Sequence, residues 1–354
     1  MKKIELNIPN NEYEIFIENG LINNIGFEIS KIYNGERIAI ITDKNVDKYY
    51  GNMLEKSLEC EGYEVLKVVL EPGERSKSIE CLMKLYDELL DFKINRGNLI
   101  IALGGGVIGD LTGFCASTLL RGIPFIQIPT SLLAQIDSSI GGKVAIDLPR
   151  GKNLIGSFYH PMAVYIDPLV LKTLDKRYIN DGLGEVIKYG LIKDKNLYEK
   201  LKNMDNYSKL FESFEDIIYR CCNIKREIVE YDEMDTGERM ILNFGHTIGH
   251  AIEKLYNFEK FSHGEAVAIG MFKIASKCEE KGICPNGTTR SIKEILIKYE
   301  LPYEVDNIDS KRLIEIIGVD KKNVGNDINL ILLKDIGEGF IKKVPREEVE
   351  NFIY

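Results

Sequence analysis

His246 and His250 stand four residues apart in "NFGHTIGHAIE", and His263 follows in "FSHGEAVAIGM". The chain has four histidines, and three of them fall within residues 246–263. Side chains four apart on a helix lie about 5–6 Å from each other on one face, so His246 and His250 could reach one metal ion. His263 opens a further helical segment and could add a third nitrogen. A carboxylate would complete a site with an open position, the arrangement catalytic zinc prefers. Glu185 in "GLGEVIKYG", Glu253 and Glu265 are the candidates. Glu185 sits among apolar residues with Lys188 one turn on, and a buried carboxylate without a partner is costly. The same spacing also suits an acid–base pair, or a buried helix whose glycines serve packing. His160 reads as an ordinary packed or surface histidine.

Two further stretches suit anions. "LIIALGGGVIGDLTGF" sets Gly104-x-Gly106-x-x-Gly109 after a strand and at the opening of a helix. In that context the glycines allow a tight turn, and the free N–H groups of the helix N-terminus face a phosphate. No acid follows about 20 residues on, where a ribose-binding carboxylate is expected; Asp43, ending an earlier strand, could supply one. "IDSSIGGKVAIDLPRGKNLIGSFYHP" places Asp137, Lys143, Lys152 and Asn153 among glycines and small polar residues. With so little apolar periodicity it reads as a loop whose lysines, joined by Arg121, suit a phosphate or carboxylate.

The elements that must hold these residues change character along the chain. "KKIELNI" and "YEIFIENG" alternate as an opening hairpin. "RIAIITDKNV", "YEVLKVVL" and "NLIIALGGG" read as strands and "PFIQIPTSLLAQID" as a strand leading into a new segment, with helices from about Val46 to Cys60, through "SIECLMKLYDELLDF", and after the glycines to about Leu120. This alternation predicts an α/β N-terminal domain, residues 1–175, with a Rossmann-like parallel sheet. From residue 176 to 354 helical spacing dominates, apart from a hairpin in "INLILLKDIGEGFIKKV" turning at Gly337–Gly339, which predicts a mainly α-helical C-terminal domain. Composition is that of an ordinary soluble globular protein: 354 residues, 44% apolar and 29% charged. A net charge of −9 disfavours a nucleic-acid partner while leaving room for a local basic pocket. No apolar run nears the roughly 20 residues a membrane span needs, and the N-terminus lacks a signal-peptide core. Seven cysteines without a CxxC read as reduced, so a cytoplasmic protein is expected.

The ordered series "EPGERSK", "GGGVIGDLTGF", "PTSLLAQIDSSIGGK", "GKNLIGSF", "GLGEVIKYG", "LNFGHTIGHAIE", "HGEAVAIGM" and "DKK" closely resembles the 3-dehydroquinate synthase family, from about residue 40 to 330. The wider fold group resembles iron-containing alcohol and glycerol dehydrogenases. The resemblance implies a homodimeric, NAD-dependent metalloenzyme of the shikimate pathway. Such an enzyme turns 3-deoxy-D-arabino-heptulosonate 7-phosphate into 3-dehydroquinate and phosphate. It does so by transient NAD oxidation at C5, phosphate elimination, reduction and intramolecular aldol closure, the phosphate itself taking the C6 proton. Glu185, His246 and His263 would bind zinc, or cobalt in its place. His250 would instead lie beside the substrate and share proton transfer with Lys143, Lys188 and Asp235. NAD would be held by Asp43, Glu74, Lys77, Gly104, Gly105, Gly106, Asp110, Thr130, Ser131 and Lys152. The substrate would meet Asp137, Lys143, Asn153, Lys188, Lys225, Arg239, Asn243, His250, and Lys321 or Lys322. Arg121 would reach in from the partner subunit.

Two positions depart from the family pattern. Asp235 stands where a glutamate is common four residues before the arginine, and Asp181 stands where a neutral small or amide residue is usual. Two related activities remain as alternatives: another sugar-phosphate cyclase, such as a 2-deoxy-scyllo-inosose synthase, and a metal-dependent glycerol or alcohol dehydrogenase with net NAD turnover. Retention of "GKNLIGSF", Arg239 and "DKK" argues against the first, and the lysine-rich stretch against the second. A non-catalytic NAD- or metal-binding sensor would leave the intact set of ligands and lysines unexplained.

Overall fold

The computed structural model describes residues 1–306, 310–318 and 327–353, so Lys321 and Lys322 lie outside the described residues. The chain divides into two compact units, Met1–Asp175 with Phe214–Glu230, and Lys176–Ser213 with Tyr231–Tyr354.

The first unit is built on a seven-stranded sheet. Its strands are β1 (Lys2–Leu6), β2 (Tyr13–Ile17), β3 (Arg37–Asp43), β4 (Glu64–Leu70), β5 (Leu99–Gly104), β6 (Phe125–Pro129) and, after two strands that stand apart, β9 (Ala163–Ile166). They lie in the order β1-β2-β9-β6-β5-β3-β4. Only β1 and β2 pair antiparallel; every other neighbour pair is parallel. The crossover helices are α1 (Ile25–Ser30), α2 (Lys44–Val46), α3 (Asn52–Cys60), α4 (Ile79–Asp91) and α5 (Gly106–Thr118). The helix expected from Val46 to Cys60 is α3, joined to the short α2 by a wider-wound turn at Asp47–Gly51.

Strand periodicity explains why the sheet is covered twice. On β3, Ala39 and Ile41 enter one apolar cluster with Leu82, Leu85 and Leu89 of α4 and Leu111 and Phe114 of α5. Ile38 and Ile40 face the opposite cluster with Ile25 and Ile29 of α1 and Leu54 and Leu58 of α3. The connection from β3 runs outward to β4, and the next returns to β5 on β3's other side. The carboxyl ends of β3 and β5 therefore form a topological switch point, where open α/β sheets take their ligands.

Two expectations need correction. Residues 136–161, expected as a loop, are largely a hairpin of β7 (Lys143–Leu148) and β8 (Gly151–Phe158), Lys143 pairing with Phe158. Val144 and Ile146 alternate inward and join the α4–α5 cluster. That is strand behaviour, which glycines and lysines on either side concealed. β9, four buried residues long, was absent from the expected strands although it joins β2 to β6.

The second unit holds α6 (Lys176–Ile192), α7 (Lys195–Lys202), the ends of α8 (Tyr207–Tyr231), α9 (His246–Leu255), α10 (His263–Glu280), α11 (Thr288–Lys298) and α12 (Ser310–Gly318). A hairpin of β10 (Asp327–Asp335) and β11 (Glu338–Pro345) completes it, turning at Gly337, where φ is +91°. Where glycines replace side chains, helix backbones approach closely. A Cβ on Gly264 of α10 would lie 1.9 Å from the Asp181 carbonyl of α6, and one on Gly270 would lie 2.0 Å from the Gly245 carbonyl before α9. α6, α9 and α10 thus meet at the residues that the sequence marks as chemical.

Candidate metal centre and nucleotide site

α6 delivers Glu185 and Lys188 on one face, both buried. Glu185 Oε2 accepts a hydrogen bond from Lys188 Nζ. Its other oxygen, Oε1, is buried and has no hydrogen-bond partner among the described residues. Instead it lies 3.6 Å from His246 Nε2 and 3.7 Å from His263 Nε2. His246 is the first residue of α9, released into the helix by Gly245 at φ +79°. Its Nδ1 stands 3.1 Å from the Phe244 carbonyl, so Nδ1 carries the hydrogen and Nε2 offers its lone pair to the centre. Burial, then the charge of Lys188, holds His246 well below the usual imidazole range and hence neutral. Burial pulls His263 the same way, but Glu253 and Glu185 outweigh it and raise it to about 9.

These residues fit a divalent metal. The ligand atoms of Glu185, His246 and His263 all lie within 4.8 Å of one another. A tetrahedral zinc with bonds of about 2.0–2.1 Å would set its ligand atoms roughly 3.3 Å apart, close to the spacing found. A buried carboxylate oxygen facing the lone pair of neutral His246 is unfavourable unless a positive charge lies beside it; without an ion protonated His263 supplies that charge, and a bound cation would take its place. A second group, His250, Glu253 and His263, has ligand atoms equally near one another. Neither group contains both His246 and His250. The rings of that pair lie 5.3 Å apart, edge to face, with His250 exposed and His246 buried.

The remaining carboxylates have other neighbours. Glu265 caps α10, accepting from Ser262 N at 2.9 Å and from Arg177 through both oxygens at 2.9 Å. Asp181 Oδ1 accepts from Gly264 N at 2.5 Å, tying α6 to the start of α10 beside His263. Burial lifts its pKa above the usual carboxylate range against the pull of Ser262 and His263. Arg239 is buried on the turn Glu238–Asn243; its N–H donates to Asp232 Oδ2 at 3.0 Å, and its guanidinium donates to the Glu233 carbonyl. Asn243 ends that turn half-buried, and Asp235 adopts φ +56° in the loop before it.

In the first unit, the glycine turn follows β5 at the switch point. Gly104 accepts at its carbonyl from Thr130 N at 3.0 Å, bringing the ends of β5 and β6 together. A Cβ on Gly105 would press Ser131 Oγ at 3.3 Å, and one on Gly106 would press Ser138 Oγ at 3.1 Å. Asp43, at the end of β3, caps α2 through Oδ1, accepting from Asn45 and Val46 N–H groups. Lys77 Nζ lies 2.6 Å from Asp110 Oδ2 and also donates to Asn153 Oδ1. Although burial lowers it, Asp110 and Glu74 raise the Lys77 pKa overall. Lys152 pairs with Glu74 at 3.4 Å. Lys225 binds Asp137 through both the carboxylate and the carbonyl, the latter at 2.5 Å. Lys143 is exposed at the start of β7, and Arg121 is exposed on a tight turn at φ +69°.

Sequence reasoning missed three supports. Asp147 Oδ1 accepts from Asn153 N at 2.7 Å, while its own N–H donates to the Lys77 carbonyl at 2.8 Å. This holds Asn153 in its left-handed conformation, φ +55°, facing Lys77. An aspartate before Pro-Arg-Gly in a lysine-rich stretch hinted at a turn. Nothing in the side chains could signal the Phe244 carbonyl. Asp232, the clamp of the arginine loop, belongs to no motif in the sequence.

The family model described as 3-dehydroquinate synthase N-terminal matches residues 67–181, and the one described as 3-dehydroquinate synthase C-terminal matches residues 182–323. A 3-dehydroquinate synthase of Clostridium acetobutylicum is 55% identical over 353 residues, covering 100% of this chain and 99% of the relative. Among solved structures, a 2-deoxy-scyllo-inosose synthase complexed with carbaglucose-6-phosphate, NAD+ and Co2+ superposes with a TM-score of 0.86 at 23% identity, covering 99% of each chain. A 2-epi-5-epi-valiolone synthase from Streptomyces hygroscopicus, with NAD+ and Zn2+ bound, gives 0.87 at 24%, covering 96% of this chain and 95% of its own.

Proposed function

This chain belongs to the 3-dehydroquinate synthase family, and on that premise we propose that it is a phosphate-eliminating carbon–oxygen lyase. Its reaction converts 3-deoxy-D-arabino-heptulosonate 7-phosphate to 3-dehydroquinate and phosphate in the shikimate pathway. One observation carries this reading: a relative of that activity is 55% identical across the whole chain. The gathering of Glu185, His246 and His263 is what the chemistry requires of that relationship. NAD and a divalent metal, zinc or cobalt, would supply a reversible hydride acceptor and Lewis acidity.

The chain's own residues have definable tasks. Backbone N–H groups at Gly105 and Gly106, at the start of α5, would hold the NAD phosphates, and Asp43 Oδ2 would meet a ribose hydroxyl. Glu74, Lys77, Asp110, Thr130, Ser131 and Lys152 would line the same cofactor. Lys77, itself paired with Asp110, would fix the Asn153 side chain by donating to its Oδ1. Asp137, Lys143, Asn153, Lys188, Lys225, Arg239 and Asn243 would bind the sugar phosphate. Cationic and amide groups of these kinds match a substrate bearing phosphate and carboxylate. Lys321 or Lys322 belongs to the same reading. Glu185, His246 and His263 would hold the metal. His250, exposed one turn along α9, would pass protons at its imidazole, with Lys143, Lys188 and Asp235 assisting. A homodimer in the cytoplasm, with Arg121 serving the partner's substrate, completes the proposal; light scattering reads the assembly. No described helix is long and apolar enough to cross a membrane.

The test is a substrate comparison with purified protein, zinc and NAD. The heptulosonate phosphate should yield phosphate and 3-dehydroquinate in equal amounts, and glucose 6-phosphate should yield neither phosphate nor a carbocycle. Phosphate release from glucose 6-phosphate alone would place the chain among the sister cyclases and overturn the proposal.

A further inference from the structure

Glu253 is a buried carboxylate that the reaction outlined above does not use. It lies on α9 seven residues after His246, two turns along the same face. Its Oε2 stands 3.5 Å from His263 Nδ1, while the other nitrogen of that ring, Nε2, stands 3.7 Å from Glu185 Oε1. The His263 ring is therefore held between two carboxylates, one at each nitrogen. A carboxylate at Nδ1 fixes the hydrogen there and leaves the Nε2 lone pair directed at Glu185 and His246. His246 achieves the same tautomer by a different means, the neutral Phe244 carbonyl at its Nδ1. His263 needs a stronger hold, because it is only half-buried where His246 is buried.

We propose that Glu253 is a positioning residue of the metal centre, orienting His263 through Nδ1 and raising the basicity of the Nε2 that binds the ion. The proposal rests on the reading of Glu185, His246 and His263 as the metal ligands. A rival geometry uses the same atoms: His250, Glu253 and His263 Nδ1 could themselves hold an ion. In that case Glu253 would be a ligand, and the chain would bind a second metal or bind its one metal elsewhere.

Zinc affinity and stoichiometry separate these cases. Both are measured on the full chain by competition with a chromophoric chelator at neutral pH, alongside melting of the metal-free protein. The wild-type chain should bind one zinc. Glu253→Ala should weaken that binding by about 10–100-fold, as loss of a carboxylate behind a ligating histidine does. Glu253→Gln, which can still accept the Nδ1 hydrogen but carries no charge, should fall between the two. Metal-free melting temperatures should stay together, and where the alanine variant fails to fold, the glutamine variant decides. Equal zinc affinity in wild type and Glu253→Gln overturns the proposal. So does a weakening that merely follows a lower metal-free melting temperature, and so does a stoichiometry that drops from two to one on substitution. A wild-type chain that holds no zinc overturns the metal reading itself, a failure distinct from the others.

Discussion

Glu185 commits one carboxylate oxygen to Lys188 and turns the other, buried and without a donor among the described residues, toward two imidazoles. That arrangement gives His246 and His250 different fates despite their equal chemistry. His246 is buried and neutral with Nε2 toward Glu185; His250 is exposed and groups with Glu253 instead. Accordingly, His246→Ala and His263→Ala should emerge from dialysis without zinc. His250→Ala should retain a full complement of zinc and lose about 100-fold or more in kcat, the usual contribution of a positioned proton carrier. Elemental analysis beside the steady-state assay reads both, and zinc loss from His250→Ala would reverse the assignment. Spacing made the histidines legible as a site. It could not divide the pair, because an i,i+4 spacing fixes a shared face but not which ring is buried, and burial depends on what packs against α9. Asp181, unusual by family pattern, proves to be the acceptor for the first turn of α10.

At the scale of elements, glycine decides how near three helices come. Gly184, Gly264, Gly249 and Gly270 each lie where a Cβ would press backbone of a neighbouring segment, at 2.8, 1.9, 3.1 and 2.0 Å. Gly270→Ala must push α10 away from Gly245. It should cost about 1–3 kcal/mol or more of stability, as overpacking does, and weaken zinc binding as His246 shifts from His263. Thermal melting and chelator competition read the two effects, and an unchanged affinity would separate packing from the centre. The loop before α9 offers a pH signature. Burial opposes ionisation of Asp232, but the N–H groups of Thr236, Gly237 and Arg239 outweigh it and hold its pKa below the carboxylate norm. A depressed folded pKa contributes stability that is present above the unfolded value, about 3.9, and disappears as pH falls through the folded one. Asp232→Asn should therefore be destabilised near neutrality, and its deficit against wild type should shrink below about pH 4. Chemical denaturation across pH measures the gap; a deficit that persists unchanged in acid would contradict the clamp. The long helices were legible because their period runs for many residues, and β3, β5 and β6 because they are near-continuous apolar runs bounded by turn residues. The β7–β8 hairpin was not, since only Val144 and Ile146 carry its inward alternation and glycines, a proline and lysines surround them. β9 is four residues long, too short to stand out as a strand.

For the molecule as a whole, the glycine turn at the switch point and the carboxylate–histidine cluster are each common to several enzyme classes. Their combination with a lysine-rich hairpin suits a reaction that borrows a hydride and returns it. The family relationship over the whole chain names that reaction, where the fold shared with more distant cyclases could not. The most direct measurement is the number of products formed per NAD supplied. With zinc, excess heptulosonate phosphate and NAD below the enzyme concentration in catalytic sites, phosphate and 3-dehydroquinate should accumulate together far beyond the NAD present, with no net NADH absorbance. NADH rising in step with product, and turnover halting when NAD is spent, would contradict the account and make the protein a dehydrogenase.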